Sequence, residues 1–561
     1  MDATVDHPGD DTGLVARVRA ASRAERLLGL ALVVYLVVVT IMRLWGGHTE
    51  WASEGDWRQW VFTYWKSYDP SLLPGDNLLT DYLEAMQPPL YRLLMSSIGH
   101  FLVPTKTAFV VGIIAWLALM AGMLWGIRRR FGWLLALLAT ALLVRDVELF
   151  NWSTGGYPRS FGPALTCWFI MALWHEQHRL MLVLLVVGAA LYPSVVVPAG
   201  LACGTVVVGS AVVGVVDLRV WWRRVVELGV TGVLVCAFAL SQNLVAEPWW
   251  GKVQSAADAG IALSPTGRWH WTPLEPFWSS LPPWLAEPFS SSGWVTLRGM
   301  LPFVWPEQVL DPILQGIVVV VVVAAFVVLV RRAPRTIPWR LFIYFGAVLV
   351  AYAAARALAF KLYLPRRMIQ HTLPILTVVF VVVVVALAAE ALWRRRQVAA
   401  VFLLVVLPTV VLTGDGIIGS RVWRDKSDYA ALVQWARTST AKDAQFGGDL
   451  YTMDWVPLYV PRHVYANFTL AHPIRPGFYA EVERRILDTY DAMYATDLRA
   501  VLAFMDRADI DYLLVDTSIY ARVEAGWGHL FEPIRTMVQE RYFAPRKAVG
   551  FALLKAPASS I

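Results

Sequence analysis

Three cysteines are all this chain of 561 residues holds. Cys167, Cys203 and Cys236 all fall inside apolar runs, with none in a loop or the tail. That excludes a disulfide framework and a CxxC metal site. The ten histidines are scattered, and none makes the HExxH spacing of a zinc centre. No Gly-rich phosphate loop and no G-x-S-x-G elbow occurs, and there is no internal repeat or low-complexity tract. Charge is scarce as well, at 16% of residues against 57% hydrophobic. A soluble protein of this size does not need so much apolar content.

Uncharged runs fill the space that charge leaves. Leu27 to Met42, Ile317 to Val330 and Leu373 to Ala389 are each, with their flanks, long enough to cross a hydrocarbon core needing about 20 helical residues. The hydropathy pattern predicts about eleven spans, near 27–45, 107–127, 132–144, 160–175, 179–192, 195–216, 225–242, 312–330, 338–358, 372–392 and 398–413. The stretch 179–216 is divided at Leu191-Tyr192-Pro193-Ser194, because a proline after a helix makes a tight turn. The first 26 residues lack a cleavable signal pattern, so the first span reads as an uncleaved anchor.

The net charge of +7 is clustered between spans. Arg17, Arg19, Arg23 and Arg26 precede the first. Arg128 to Arg130, His175 to Arg179, Arg219 with Arg223 and Arg224, Arg331 with Arg332 and Arg335, and Arg394 to Arg396 fill alternate connections. This is the positive-inside pattern, not a nucleic-acid surface. It predicts a multi-pass protein with a cytoplasmic N-terminal tail (1–26) and a membrane domain over 27–413. Outer loops are expected at 46–106, 145–159, 243–311 and 359–371. The tail, 414–561, then lies outside the cytoplasm. There helix-like stretches (Tyr429 to Arg437, Ala480 to Tyr490, Thr496 to Arg507) alternate with strand-like ones (Asp511 to Asp516, Val549 to Leu554). The fold class expected is mainly α, a polytopic helical bundle with a C-terminal extracytoplasmic α/β domain. The basic inner loops and the anchor suit a bacterial plasma membrane.

The first outer loop carries the strongest chemical signal. Glu54-Gly55-Asp56 is followed by Trp57, Arg58, Asp76, Asp81 and Glu84, and then by Gln87-Pro88-Pro89-Leu90-Tyr91 at the entry to the next apolar segment. At spacing i, i+2, Glu54 and Asp56 share a face only on extended chain, so one is expected to point inward. A partly desolvated carboxylate has a raised pKa and suits a general base. The alternative is a loop acid capping a helix that begins at Trp57. The second outer loop offers Arg145, Asp146, Glu148, Asn151, Tyr157 and Arg159. A second acid there suits an acceptor site, or an oxygen site for Mg²⁺ or Mn²⁺ built on Asp56 and Asp146. Otherwise Asp146 pairs with Arg145 or Arg159.

Lys361, Tyr363, Arg366 and Arg367 form a basic cluster on the outer side, against the positive-inside trend. Arginine binds phosphate bidentately, and the alternative is snorkelling to lipid headgroups. Loop 243–311 is rich in tryptophan, which reads as an interfacial belt. His270, between Trp269 and Trp271, reads as a surface histidine.

These motifs resemble the GT-C superfamily of membrane glycosyltransferases, in its protein O-mannosyltransferase and aminoarabinose-transferase branch. The resemblance rests on Glu54-Gly55-Asp56, on Pro88 to Tyr91, and on Leu364-Pro365-Arg366-Arg367 before the helix containing Pro374. It covers 27–413. It implies inverting transfer of a sugar from a polyprenyl-phosphate donor to a glycan, lipid or protein acceptor. By motif position Asp56 is the base, with Glu54 beside it. Arg366 and Arg367 would hold the donor phosphate, with Lys361, Tyr363 and Arg58 as further donor contacts. The sequence has Glu-Gly-Asp where the family has adjacent acids, which leaves open which acid acts and whether a metal is used. Two other readings are a transporter or flippase and a noncatalytic envelope-assembly protein. Transporters place ionisable groups at mid-membrane, whereas the acids here cluster in outer loops.

Overall fold

The computed structural model describes residues 23–75, 77–212, 217–244, 246–255, 258–260, 267, 339–358, 360–362, 364–393, 423–515 and 531–540. The expected spans at 312–330 and 398–413, most of loop 243–311, and the strand at Val549 to Leu554 lie outside these residues. So do Tyr363 and the side chains of Glu148 and Arg366.

Apolar helices dominate. In chain order they are α1 (Arg23–Leu44), α2 (Leu78–Met86), α3 (Pro89–Gly99), α4 (Pro104–Phe131), α5 (Trp133–Arg145), α6 (Val147–Thr154), α7 (Phe161–Trp174), α8 (His178–Leu191), α9 (Val196–Val212), α10 (Leu218–Leu244), α11 (Trp339–Ala357) and α12 (Thr372–Trp393). Among the described residues, four are long and apolar enough to cross a membrane, at Arg26–His48, Pro104–Phe131, Pro193–Ser210 and Trp339–Ala357, with shorter apolar helices besides. The chain breaks at Tyr192, where a 3₁₀ turn (Pro193–Val195) separates α8 from α9.

Helix α4 is the hub. Proline at its first turn suits a position whose N–H is unpaired anyway. Its last turn holds Arg128 to Arg130, and Gly132 follows with φ +83°. Along its length glycine admits neighbours closely, as at small-residue contacts between membrane helices. A Cβ on Gly112 would lie 2.0 Å from the Thr154 carbonyl oxygen of α6, and one on Gly126 would lie 2.1 Å from the Met171 sulfur of α7.

The tail adds α13 (Ala430–Ser439), α14 (Leu450–Tyr459), α15 (Pro476–Met493) and α16 (Leu498–Ala508). They surround a parallel sheet of β3 (Gln445–Gly448), β4 (His463–Val464) and β5 (Tyr512–Leu514) in the order β4-β3-β5. The three helix-like stretches and the Asp511 to Asp516 strand fall on α13, α15, α16 and β5. Helix α14 was not expected, since Pro457 lies inside it.

Rather than standing apart, the tail packs into the first outer loop. β1 (Ala52–Ser53) pairs antiparallel with β2 (Arg424–Asp425), immediately before Glu54. Tyr82 stacks on Phe478 with ring centres 3.5 Å apart, and the Trp65 indole donates to the Leu458 carbonyl at 2.9 Å. The buried core runs continuously from α1 through the loop into the tail.

Gly156 fixes the second outer loop against α4. Its φ is +68°, and an added Cβ would lie 1.8 Å from the Ala108 carbonyl oxygen. Gly156→Ala is expected to cost about 2 kcal/mol or more, read as a lowered unfolding temperature in detergent against wild type.

Candidate functional site

Two loops are tied to each other before any charge meets. Helix α3 begins at Pro89, with two residues between it and the end of α2, and Tyr91 in its first turn is fully buried. Its hydroxyl donates to the Gly156 carbonyl at 3.0 Å. The Trp57 indole N–H donates to the Gly155 carbonyl. Gln87 closes the other side, accepting from the Tyr64 hydroxyl and donating to Thr63 Oγ1 at 3.2 Å. The Gln-Pro-Pro-Leu-Tyr segment thus holds the second outer loop in place through Tyr91.

That arrangement carries Arg159 to the acid motif. A helical turn (Trp57–Trp60) follows Asp56, but the Asp56 side chain makes no cap to it. The carboxylate turns instead to Arg159, whose Nη2 lies 2.7 Å from Asp56 Oδ2. The same nitrogen donates to the Tyr157 hydroxyl at 3.0 Å. Glu54 folds back, and its Oε2 accepts from the Asp56 backbone N–H at 2.9 Å. Burial first, and then the Asp56 charge, push the Glu54 carboxyl up to about 7 against the pull of Arg159. Burial also pushes the Tyr157 phenol up.

Arg58 points the other way. Its Nε donates to the Gly55 carbonyl at 2.8 Å, and its Nη1 lies 2.9 Å from Asp454 Oδ2 on α14. Asp454 is fully buried and also accepts from the Thr469 N–H at 2.8 Å and the Thr469 hydroxyl at 2.7 Å. Arg58 therefore sits between the tail and the backbone of the acid motif.

Asp146 caps α6, accepting from the Leu149 N–H at 2.9 Å. Asn151 lies one turn further along α6, and among the described residues its buried Oδ1 has no partner. The two acids suggested for a metal are thus each engaged elsewhere, Asp56 by Arg159 and Asp146 by the helix end. Among the described residues no three His, Cys, Asp or Glu side chains converge as a metal site. A donor set with an arginine on one carboxylate does not fit a resident divalent cation.

On the facing rim, Lys361 is exposed and Arg366 opens the short helical turn Arg366–Ile369. Arg367 Nη1 donates to Gln370 Oε1 at 3.2 Å, and Gln370 Nε2 lies 2.8 Å from His371 Nε2. Gly162, three residues after Arg159, lies against the His371 ring, which places the rim beside the acid motif that Arg159 holds. His371 is buried between Trp152 and Tyr192. Sequence reasoning missed Gln370, His371 and Asp454. The first two were marked only as polar residues at the mouth of an apolar helix, and Asp454 by nothing local.

Two measurements follow from this geometry. The folded chain keeps a proton on Glu54 that the unfolded chain releases above its ordinary value of 4.5. Stability therefore falls as pH rises from there through about 7. Between about pH 5 and about pH 8 the loss should be about 1–3 kcal/mol larger in wild type than in Glu54→Gln, read from thermal melts. Asp454→Asn should cost about 2–3 kcal/mol, and a double-mutant cycle with Arg58→Gln should show the two losses to be non-additive.

No protein-family model matches the chain, and no curated protein matches it. Among solved structures it is similar to an Archaeoglobus fulgidus oligosaccharyltransferase crystallised with zinc and sulfate, at 12% identity and a TM-score of 0.43, over 89% of this chain and 70% of that one. It is also similar to ArnT from Cupriavidus metallidurans. The apo form matches at 14% identity and TM-score 0.40, over 88% of this chain and 95% of that one. The form bound to undecaprenyl phosphate matches at 13% and 0.41, over 85% and 92%. Likenesses at this level assign neither family nor activity, so the reading of the site rests on its own residues.

Proposed function

We propose that this chain is an inverting membrane glycosyltransferase that moves a sugar from a polyprenyl-phosphate donor to a hydroxyl acceptor on the outer side of the plasma membrane. The observation that carries the reading is the carboxylate pair Glu54 and Asp56, set at the loop surface with one member held by Arg159. A half-buried carboxylate such as Glu54, pushed up to about 7 by burial and the neighbouring Asp56 charge, is suited to proton abstraction at neutral pH. Spans nearly free of charge, with basic residues at one rim, suit a donor whose phosphate sits at the interface.

In the proposed reaction the acceptor oxygen attacks the sugar C1. The C1–O bond to phosphate breaks, and its electron pair goes to the phosphate oxygen. The acceptor proton passes to the carboxylate pair, and polyprenyl phosphate leaves. Arg159 fixes the Asp56 carboxylate so that it does not swing toward the Trp57–Trp60 turn. Once Glu54 ionises near pH 7, a second carboxylate charge stands beside Asp56 to draw the acceptor proton. Arg367, Arg366 and Lys361 hold the donor phosphate. The acceptor approaches from the side of Asn151 and Tyr157.

The test is donor turnover in nanodiscs. A panel of polyprenyl-phosphate sugars is offered with and without Mg²⁺ or Mn²⁺, with candidate glycan, lipid and protein acceptors, and release of polyprenyl phosphate is followed. Wild type should release it from at least one donor. Asp56→Asn, folded to the same degree, should be slower by about 100-fold or more. The wild-type rate should rise with pH to a plateau above about 7, and Glu54→Gln should lose that limb. Equal release by wild type and Asp56→Asn would contradict the reading.

A further inference from the structure

His371 has a feature that the carboxylate pair does not explain. Its ring is clamped. Trp152 and Tyr192 meet it edge-on with centroids 5.5 and 5.9 Å away. Gly162 lies so close that a Cβ there would be 2.6 Å from His371 Cδ2 and Nε2. The ring therefore packs directly against the backbone of α7 at Gly162.

The hydrogen bonds beside it decide which nitrogen carries the proton. A guanidinium has no acceptor, so the Gln370 atom facing Arg367 at 3.2 Å is the carbonyl oxygen. The Gln370 amide nitrogen then faces His371 Nε2 at 2.8 Å and donates to it. An N–H at Nε2 would oppose that donor, so the imidazole is neutral and its proton is on Nδ1. Among the described residues this Nδ1–H is buried and has no partner. The Arg159 Nε–H is a second buried donor without one. A buried unpaired donor costs about 1–3 kcal/mol. The two stand at the same helix start, Arg159 just ahead of the Gly162 that meets the His371 ring, and together they call for an anionic oxygen.

We infer that His371 Nδ1–H and Arg159 Nε–H form the subsite for the phosphate oxygen of the lipid donor. This rests on the transfer reading of the site. As the C1–O bond breaks, negative charge grows on the phosphate oxygen. Donors already aimed there stabilise it more in the transition state than in the ground state. His371 gives up no proton. It stays neutral and donates a hydrogen bond, and Arg367 fixes its tautomer through Gln370.

Binding of the product lipid tests this without turnover. Solubilised full-length protein is titrated with a polyprenyl phosphate and, separately, with the matching polyprenol, and occupancy is read by native mass spectrometry. Inorganic phosphate is the competing probe. Wild type should prefer the phosphate over the alcohol, and His371→Leu should lose about tenfold of that preference. His371→Asn keeps an amide N–H near the Nδ1 position and should recover most of it, which separates a lost donor from a lost fold. Displacement of the lipid by inorganic phosphate at equal concentration would assign the subsite to free phosphate. Resistance to it would assign the subsite to the lipid-borne group. An unchanged preference in a folded His371→Leu would overturn the subsite alone. No phosphate preference in wild type would overturn the subsite and the transfer reading together.

Discussion

The 2.7 Å contact between Arg159 and Asp56 joins parts of the chain about a hundred residues apart, and much of the structure around it is arranged to permit it. An exposed ion pair alone contributes little. This one is positioned by neutral contacts beneath it. The Gly155 and Gly156 carbonyls accept from Trp57 and Tyr91, and Gly156 presses on α4 with no room for a Cβ. Because those bonds fix the second loop, Arg159 needs little reorganisation to meet the carboxylate. Preorganisation of this kind is what makes charge effective at a site.

The tail extends the same constraint from the other side. β2 pairs with the two residues before Glu54, and Asp454 holds Arg58 two residues after Asp56. The acid motif is therefore gripped at both ends by a segment almost 400 residues away. A soluble domain joined only by its linker would leave the loop free to fray. The continuous core and the stacked Tyr82–Phe478 pair instead make the tail part of the wall behind the carboxylates.

How much of this the sequence disclosed follows from which forces act locally. Apolar runs and basic clusters are local signals, and helices stand at nine of the spans they marked, from Arg23–Leu44 to Thr372–Trp393. The break at Pro193 was legible for the same reason. Glu54, Asp56 and Arg159 could be named from their loops, but not the bond between the last two, since no spacing rule relates separate loops. Asp146, read as a second acid of the site or as a partner of Arg145 or Arg159, instead accepts from the Leu149 N–H and caps a helix, a role that depends on where that helix begins. Arg58 was read as a donor contact because its partner, Asp454, lies in a helix that Pro457 conceals. Gln370 and His371 acquire meaning only through the amide orientation that Arg367 imposes.

The central claim is that the carboxylate pair and the basic rim face one ligand from two sides. A structure of the protein in nanodiscs with a bound polyprenyl-phosphate sugar tests it most directly. The account predicts the phosphate on the rim beside Arg367, with the sugar C1 turned toward Asp56 and Glu54 and the lipid chain along the apolar helices. A phosphate bound away from both loops, or a donor whose C1 faces away from the carboxylates, would contradict it.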